Sequence, residues 1–510
     1  MAKKTIVRST ILILSLTIIA KVIGFGKSII MASYFGADLN SDAYYFSSSL
    51  VANVLYMITT SIGISFLPIY VKIRENEGRE RSRQYTAETL IMMSFIAVIL
   101  MVIVIITSPL LIRLFAPTYS GSQFEKTVLY LRIMACGVFF ALLTNIFQNL
   151  LNGEKVYGFS NISGIINSIV LILMIIVLSP KMGIMSAVLA LPISYAVQFL
   201  TLFFKGRKYV DFRIKRNPWN EYTKILLIQA MPILLSNATI ELNQMIDKML
   251  LISIEDGAVS AVHYSAVLYQ FASSIVSIPI STVIFTELSE LVAKKEFDNI
   301  RHLVKDTLHA AFIIGLPVTL VMLIYSEPIV NIAFGHGHFS DYAVSRSAIG
   351  LFFYGFCLIP TCIKQIMTKA FYSVQDTKIP MTLSLLEVSL NIGASILLSR
   401  LIGLAGVVCG TAIATITFCI IQIIVFSRKK VALLFKTEWK VYLSMILCAA
   451  IAGVLGYFFS LVLPKNIFGL IILSFAVFVV FYIILFFMHD KMINVMIKKG
   501  KSVLKRKLHR

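Results

Sequence analysis

Apolar runs of 20 or more residues recur from one end of this 510-residue chain to the other. One such run is long enough to cross the hydrocarbon core of a bilayer as a helix. Charged residues make up 14% of the chain, against about 25% in an ordinary soluble domain. The fold class that follows is an all-α polytopic membrane protein. We expect fourteen spans, at 10–34, 42–70, 87–114, 124–150, 157–180, 183–204, 225–253, 258–292, 306–334, 342–373, 379–400, 402–427, 441–462 and 466–490. Several exceed the ~20 residues a bilayer requires, which implies tilt or extension beyond the membrane. The basic start, MAKK, precedes an apolar run too long for a cleavable signal and without a small-residue cleavage site, so that run reads as the first span.

The basic residues fall on one side of this arrangement. The N-terminus, the loop from Lys72 to Arg83, Lys155, the stretches 205–224, 294–305 and 428–440, Lys378 and the tail 491–510 together hold about 34 of the 46 Lys and Arg. The opposite side holds about six: Arg113, Lys126, Lys181, Arg346, Arg400 and Lys465. The positive-inside rule then puts both termini in the cytoplasm. The net charge of +21 is thus a matter of topology and does not indicate nucleic-acid binding. The basic tail suits contact with anionic headgroups. All six cysteines lie in apolar stretches without metal-finger spacing and read as buried apolar side chains.

The chain repeats at a spacing of about 220 residues. SDAYYFSSSL (41–50) aligns with VSAVHYSAVL (259–268), and MGIMSAV (182–188) with IGLAGVV (402–408). This divides the sequence into a six-helix lobe (1–204), a cytoplasmic linker (205–224), a second six-helix lobe (225–430), two extra transmembrane helices (431–490) and a basic tail (491–510). Six is even, so the copies share one orientation. That is the pattern of parallel-repeat transporters, which rock two halves about a central cavity.

Ionisable residues inside spans mark substrate or ion pathways, because they must face a cavity or a partner. The first span carries Lys21 and Lys27, with Gly24 and Gly26 between them. Six residues separate the lysines, about 9 Å along a helix and about 120° around it. A glycine-permitted bend would bring both ammonium groups to one extended anion such as a diphosphate, for which lysine serves as a point charge. The alternatives are an acidic partner for Lys21 and snorkelling to the interface for Lys27. Asp42 opens the second span and suits an N-cap. Asp42, Gly24, Gly26 and Ser265 are the candidate cavity or gate residues. Asp247, Glu387 and Asn391 form a candidate oxygen-rich cation site, since Glu387 and Asn391 share a helix face; a structural hydrogen-bond cluster is the other reading. Asp247 and Lys248 are adjacent and suit mutual neutralisation near the outer surface. No G-x-x-x-x-G-K-[ST], G-x-S-x-G or H-E-x-x-H occurs, so we expect a transporter without ATP drive, cofactor or bound metal, powered by membrane potential or a coupling Na⁺ or H⁺.

Four stretches carry a family resemblance: AKVIGFGKSIIMASYFGADLNSDAYY (20–45), LIRLFAPTYS (111–120), LRIMACGVFF (131–140) and AFYSVQDTKIP (370–380). They resemble segments of the MurJ (MviN) lipid II flippases, of the multidrug/oligosaccharidyl-lipid/polysaccharide exporter superfamily. The resemblance implies carriage of undecaprenyl-diphosphate-linked peptidoglycan precursor through a cationic cavity. It also implies a lateral gate between spans 1 and 8, and a groove from spans 13 and 14 for the lipid tail. It places Lys21 and Lys27 where the family has arginines, and Asp42 at the family's aspartate. The family's basic positions in spans 2 and 8 fall near Tyr56 or Met57 and at Val267, which are not basic here. The expected partners are the lipid-linked glycan, membrane lipids and the wall-synthesis machinery, with no nucleic acid. Another lipid-linked glycan, such as a capsular, teichoic or exopolysaccharide repeat unit, meets the same physics. A cation-coupled drug exporter is disfavoured by two buried lysines, and a glycan polymerase by external loops of only about ten residues.

Overall fold

The computed structural model describes residues 2–156, 158–213, 217–293, 297–373, 376, 378–428 and 435–487. The basic stretches at 294–296 and 429–434, the tail and most of the QDT segment therefore lie outside the described residues. The helices in chain order are α1 (Ala2–Phe35), α2 (Leu39–Asn76), α3 (Gly78–Phe115), α4 (Gly121–Gly153), α5 (Phe159–Met182), α6 (Met185–Gly206), α7 (Glu221–Ile254) and α8 (Ala258–Ala293). They continue with α9 (Phe297–Ile324), α10 (Ser326–Phe334), α11 (Asp341–Ser373), α12 (Lys378–Ile402), α13 (Leu404–Arg428), α14 (Phe435–Ser460) and α15 (Ile467–Phe487). A 3₁₀ turn, Arg207–Tyr209, follows α6. Among the described residues twelve helices are long and apolar enough to cross a membrane. With α7 and α8 they account for the fourteen expected spans.

One difference concerns the ninth span, which is two helices. Pro328 lacks the N–H that would bond the Ile324 carbonyl, and α9 ends at Ile324. Tyr325 at the break is 2% exposed, and its hydroxyl donates to the Pro464 carbonyl at 2.7 Å. Tyr325 and Val321 pack with Leu473 and Val477, which fixes α15 on α9. The Pro328 break thus turns a tyrosine toward the α14–α15 hairpin.

The chain forms two compact units, residues 1–264 with 334–343, and residues 265–333 with 344–510. In the first, α4 packs on α2, α3 and α6, and α5 packs on α1 and α6. The seventh helix packs on α2 and α3. In the second unit α12 and α13 form a tight pair, and α14 and α15 lean on α9. The internal repeat is visible as one hydrogen bond made twice. Ser47 Oγ on α2 donates to the Thr127 carbonyl on α4 at 3.3 Å. Ser265, its match in the repeat, donates from α8 to the Ser347 carbonyl on α11 at 2.7 Å.

The linker is pinned at its far end. Asn220 caps α7 in a capping box, its side chain accepting from Tyr222 and Thr223 N–H. Its amide also donates to Glu88 at 2.7 Å, and Glu88 pairs with Arg81 at 2.8 Å. Tyr222 donates to Glu77, and that bond holds its phenol above its usual pKa. The turn between α2 and α3 and the start of α7 are therefore joined by one polar network.

Candidate functional site

α1 runs unbroken through Gly24 and Gly26. A Cβ built at either glycine meets no atom within 4 Å, so the backbone between the two lysines presents an open face. Lys21 is exposed and Lys27 half-buried. Among the described residues neither ammonium has a carboxylate within ion-pair distance. Lys27 lies within electrostatic range of His263 on α8, and so does Lys248 on α7. Lys248 in turn lies within range of Glu241 and of Asp247. Glu241 is 4% exposed and precedes Lys248 by seven residues, two helical turns, so the two share a face of α7. The Glu241–Lys248 spacing is readable from the sequence, but the place of His263 beside Lys27 and Lys248 is not, because those three residues come from three different helices.

Asp42 does not cap its own helix. Asp38 does, accepting from Ser41 N–H at 2.8 Å. Asp42, in the first turn of α2 and 1% exposed, reaches across to the start of α8. It accepts from Gly257 N–H at 2.7 Å, Ser260 N–H at 2.7 Å and the Ser260 hydroxyl at 2.6 Å. A helix N-terminus offers unpaired N–H groups and a positive dipole end, and a carboxylate satisfies both. The aspartate is an N-cap, as its residue type suggests, but for a helix 218 residues away. Gly257 allows the approach: its φ is +84°, and a side chain there would meet the Ala37 carbonyl.

Aromatic rings extend this contact. Tyr45 stacks on His263 at 4.0 Å and shares a 3.0 Å hydroxyl hydrogen bond with Tyr264. Tyr264 packs on Phe334 and Phe339, with ring centres at 4.9 and 5.2 Å. The GHGH segment closes over the end of α1, with His338 N–H donating to the Ser33 carbonyl at 2.8 Å. The loop thereby ties the α1 terminus to the α8 start through backbone as well as rings.

Ser265 is buried and its hydroxyl is committed to the Ser347 carbonyl, where it packs α8 against α11. Asp247 belongs to the first unit, and Glu387 and Asn391 to the second. Glu387 pairs with Lys364 at 2.5 Å. Asn391 donates to Thr411 at 3.1 Å and accepts from Ser395 at 3.3 Å. The shared helix face of Glu387 and Asn391 therefore serves two different sets of partners. In the second unit an apolar groove of about 290 Å³ is lined by Leu308, Phe312, Ile363, Ile423, Leu443 and Ile446, with α14 as one wall. Its chemistry suits a hydrocarbon chain.

Comparison with known proteins agrees with this architecture. A Rickettsia prowazekii protein described as a probable lipid II flippase MurJ is 26% identical over 420 residues, covering 80% of this chain and 82% of its own. A Burkholderia cenocepacia protein described as lipid II flippase MurJ is 22% identical over 393 residues, covering 74% and 75%. Among solved structures, a lipid II flippase MurJ in an inward closed conformation superposes with a TM-score of 0.80 over 98% of this chain and all of that one, at 21% identity. An inward-facing multidrug resistance transporter of the MATE family gives 0.71 over 84% of this chain and 99% of its own, at 16% identity. These two structural likenesses speak to the fold. The family model described as lipid II flippase MurJ matches residues 31–478, and on that match the chain belongs to the MurJ lipid II flippase family.

Proposed function

We propose that this chain is a transporter that moves undecaprenyl-diphosphate-linked peptidoglycan precursor, lipid II, from the inner to the outer leaflet of the bacterial cytoplasmic membrane. The observation that carries the reading is Lys21 and Lys27 on one face-open, apolar helix, in a chain matched by the MurJ family model over residues 31–478. Two cations without carboxylate partners among the described residues suit a diphosphate. The polyprenyl tail stays in lipid and uses the apolar groove beside α14. Both termini face the cytoplasm, which follows from the distribution of basic residues. The two six-helix sets, 1–204 and 225–430, exchange access by rocking. Outward movement of an anionic headgroup runs with an inside-negative potential, which contributes about 2.3 kcal/mol per charge per 100 mV.

The test is complementation of cells depleted of their own lipid II flippase, with externally accessible lipid II as the readout. The native chain restores it. Lys21→Ala/Lys27→Ala loses it by about 10- to 100-fold, the worth of charge-assisted hydrogen bonds of ~1.5–3 kcal/mol. Lys21→Arg/Lys27→Arg retains it and shows that the loss is one of charge and not of folding. Failure of the native chain, expressed and inserted, overturns lipid II as cargo and turns attention to another carrier-linked glycan.

A further inference from the structure

Glu387 stands within α12, with its side chain only 12% exposed. A carboxylate on a membrane-spanning helix requires a cation or a proton close by. The second unit supplies a cation from α11. Lys364 Nζ lies 2.5 Å from Glu387 Oε2 and 4.9 Å from the centre of the Phe418 ring on α13. The ammonium therefore sits between a negative group and the negative face of an aromatic ring, both of which favour it. The lysine is the more accessible of the two, 34% against 12%.

The neighbouring oxygens are already engaged. Asn391, one turn along α12, is held by Thr411 and Ser395, and Ser395 also donates to the Val407 carbonyl at 3.3 Å. Among the described residues the thiols of Cys357 on α11 and Cys419 on α13, both buried, also lie within electrostatic range of the carboxylate. The charge of Glu387 is met by a group that is covalently part of the chain. An incoming ion would have to displace it and leave an ammonium stranded in an apolar setting.

We propose that Lys364 is a tethered counter-ion: it takes the position at Glu387 that an exchangeable Na⁺ or proton would otherwise fill, and makes the second unit indifferent to external cations. The proposal rests on the transport reading only in that, for a transporter, such an exchangeable cation would be the coupling ion.

The experiment is thermal melting of the purified full chain in Na⁺, K⁺ or N-methylglucamine chloride at equal ionic strength, at two pH values. The native chain melts at one temperature in all three salts. Lys364→Met leaves Glu387 without its cation, and its melting temperature rises by several degrees with Na⁺ or with acid. The double variant Lys364→Met/Glu387→Gln loses that response. A native chain stabilised by Na⁺ through a response that Glu387→Gln abolishes overturns the proposal. A folded Lys364→Met that responds to neither Na⁺ nor pH overturns it as well. If Lys364→Met alone is not recovered, recovery of the double variant upholds mutual neutralisation, and its failure refutes it. Melting does not depend on the lipid carried, so a failed complementation and a failed counter-ion are separate results.

Discussion

Asp42 carries three hydrogen bonds on one buried carboxylate, and every donor lies at the start of α8. Removing the side chain leaves those N–H groups unpaired away from water. Loss of an N-cap costs about 0.5–2 kcal/mol, and hydrogen bonds to charged groups are worth about 1.5–3 kcal/mol. We expect Asp42→Ala to lower stability by about 1–3 kcal/mol on those scales. Asp42→Asn, which keeps one acceptor oxygen, loses less. Melting of both variants in one detergent checks the order. An Asp42→Ala protein as stable as the native chain would remove the cap from the account. The sequence marks Asp42 as an N-cap by residue type and position, but the helix it serves emerges only when α2 meets α8.

The α12–α13 pair shows what an element needs that hydropathy does not report. Gly406 faces the backbone of α12, where an added Cβ would collide with the Leu398 carbonyl. Gly393 lies on the same pair of helices, yet an added Cβ there meets nothing within 4 Å. Gly406→Ala should destabilise the protein by about 1–3 kcal/mol through overpacking. Gly393→Ala should be neutral or stabilising by up to ~1 kcal/mol, since alanine is the better helix former. Melting temperatures moving in the same direction for both would contradict the close contact. The fourteen spans were legible because a run of apolar residues suffices to specify a membrane helix. The break at Tyr325 was not, because Ser326, Glu327 and Pro328 form a short interruption between two apolar stretches, and hydropathy over a span length does not register one missing N–H.

Across the whole molecule, the distribution of Lys and Arg assigns each loop a side. Ser120, between α3 and α4, and Lys208, after α6, are both exposed and fall on opposite sides in that assignment. In a cysteine-free background, a cysteine at 120 should react with an impermeant maleimide added to intact cells, and one at 208 only after lysis. The reverse pattern would invert the topology and place Lys21 nearer the other leaflet. The charge distribution reads directly from sequence, whereas the grouping of Lys27, Lys248 and His263 does not, since it depends on three helices meeting. The contact between α2 and α8 also joins matching positions of the repeat. Asp42 and Ser260 hold matching positions of the repeat, as do Tyr45 and His263, and each pair touches. Where two identical chains meet through matching positions, every residue faces itself. Two aspartates there would repel, and two serines would leave the helix end without a carboxylate. The closure therefore needs the two halves to carry different residues at these matching positions.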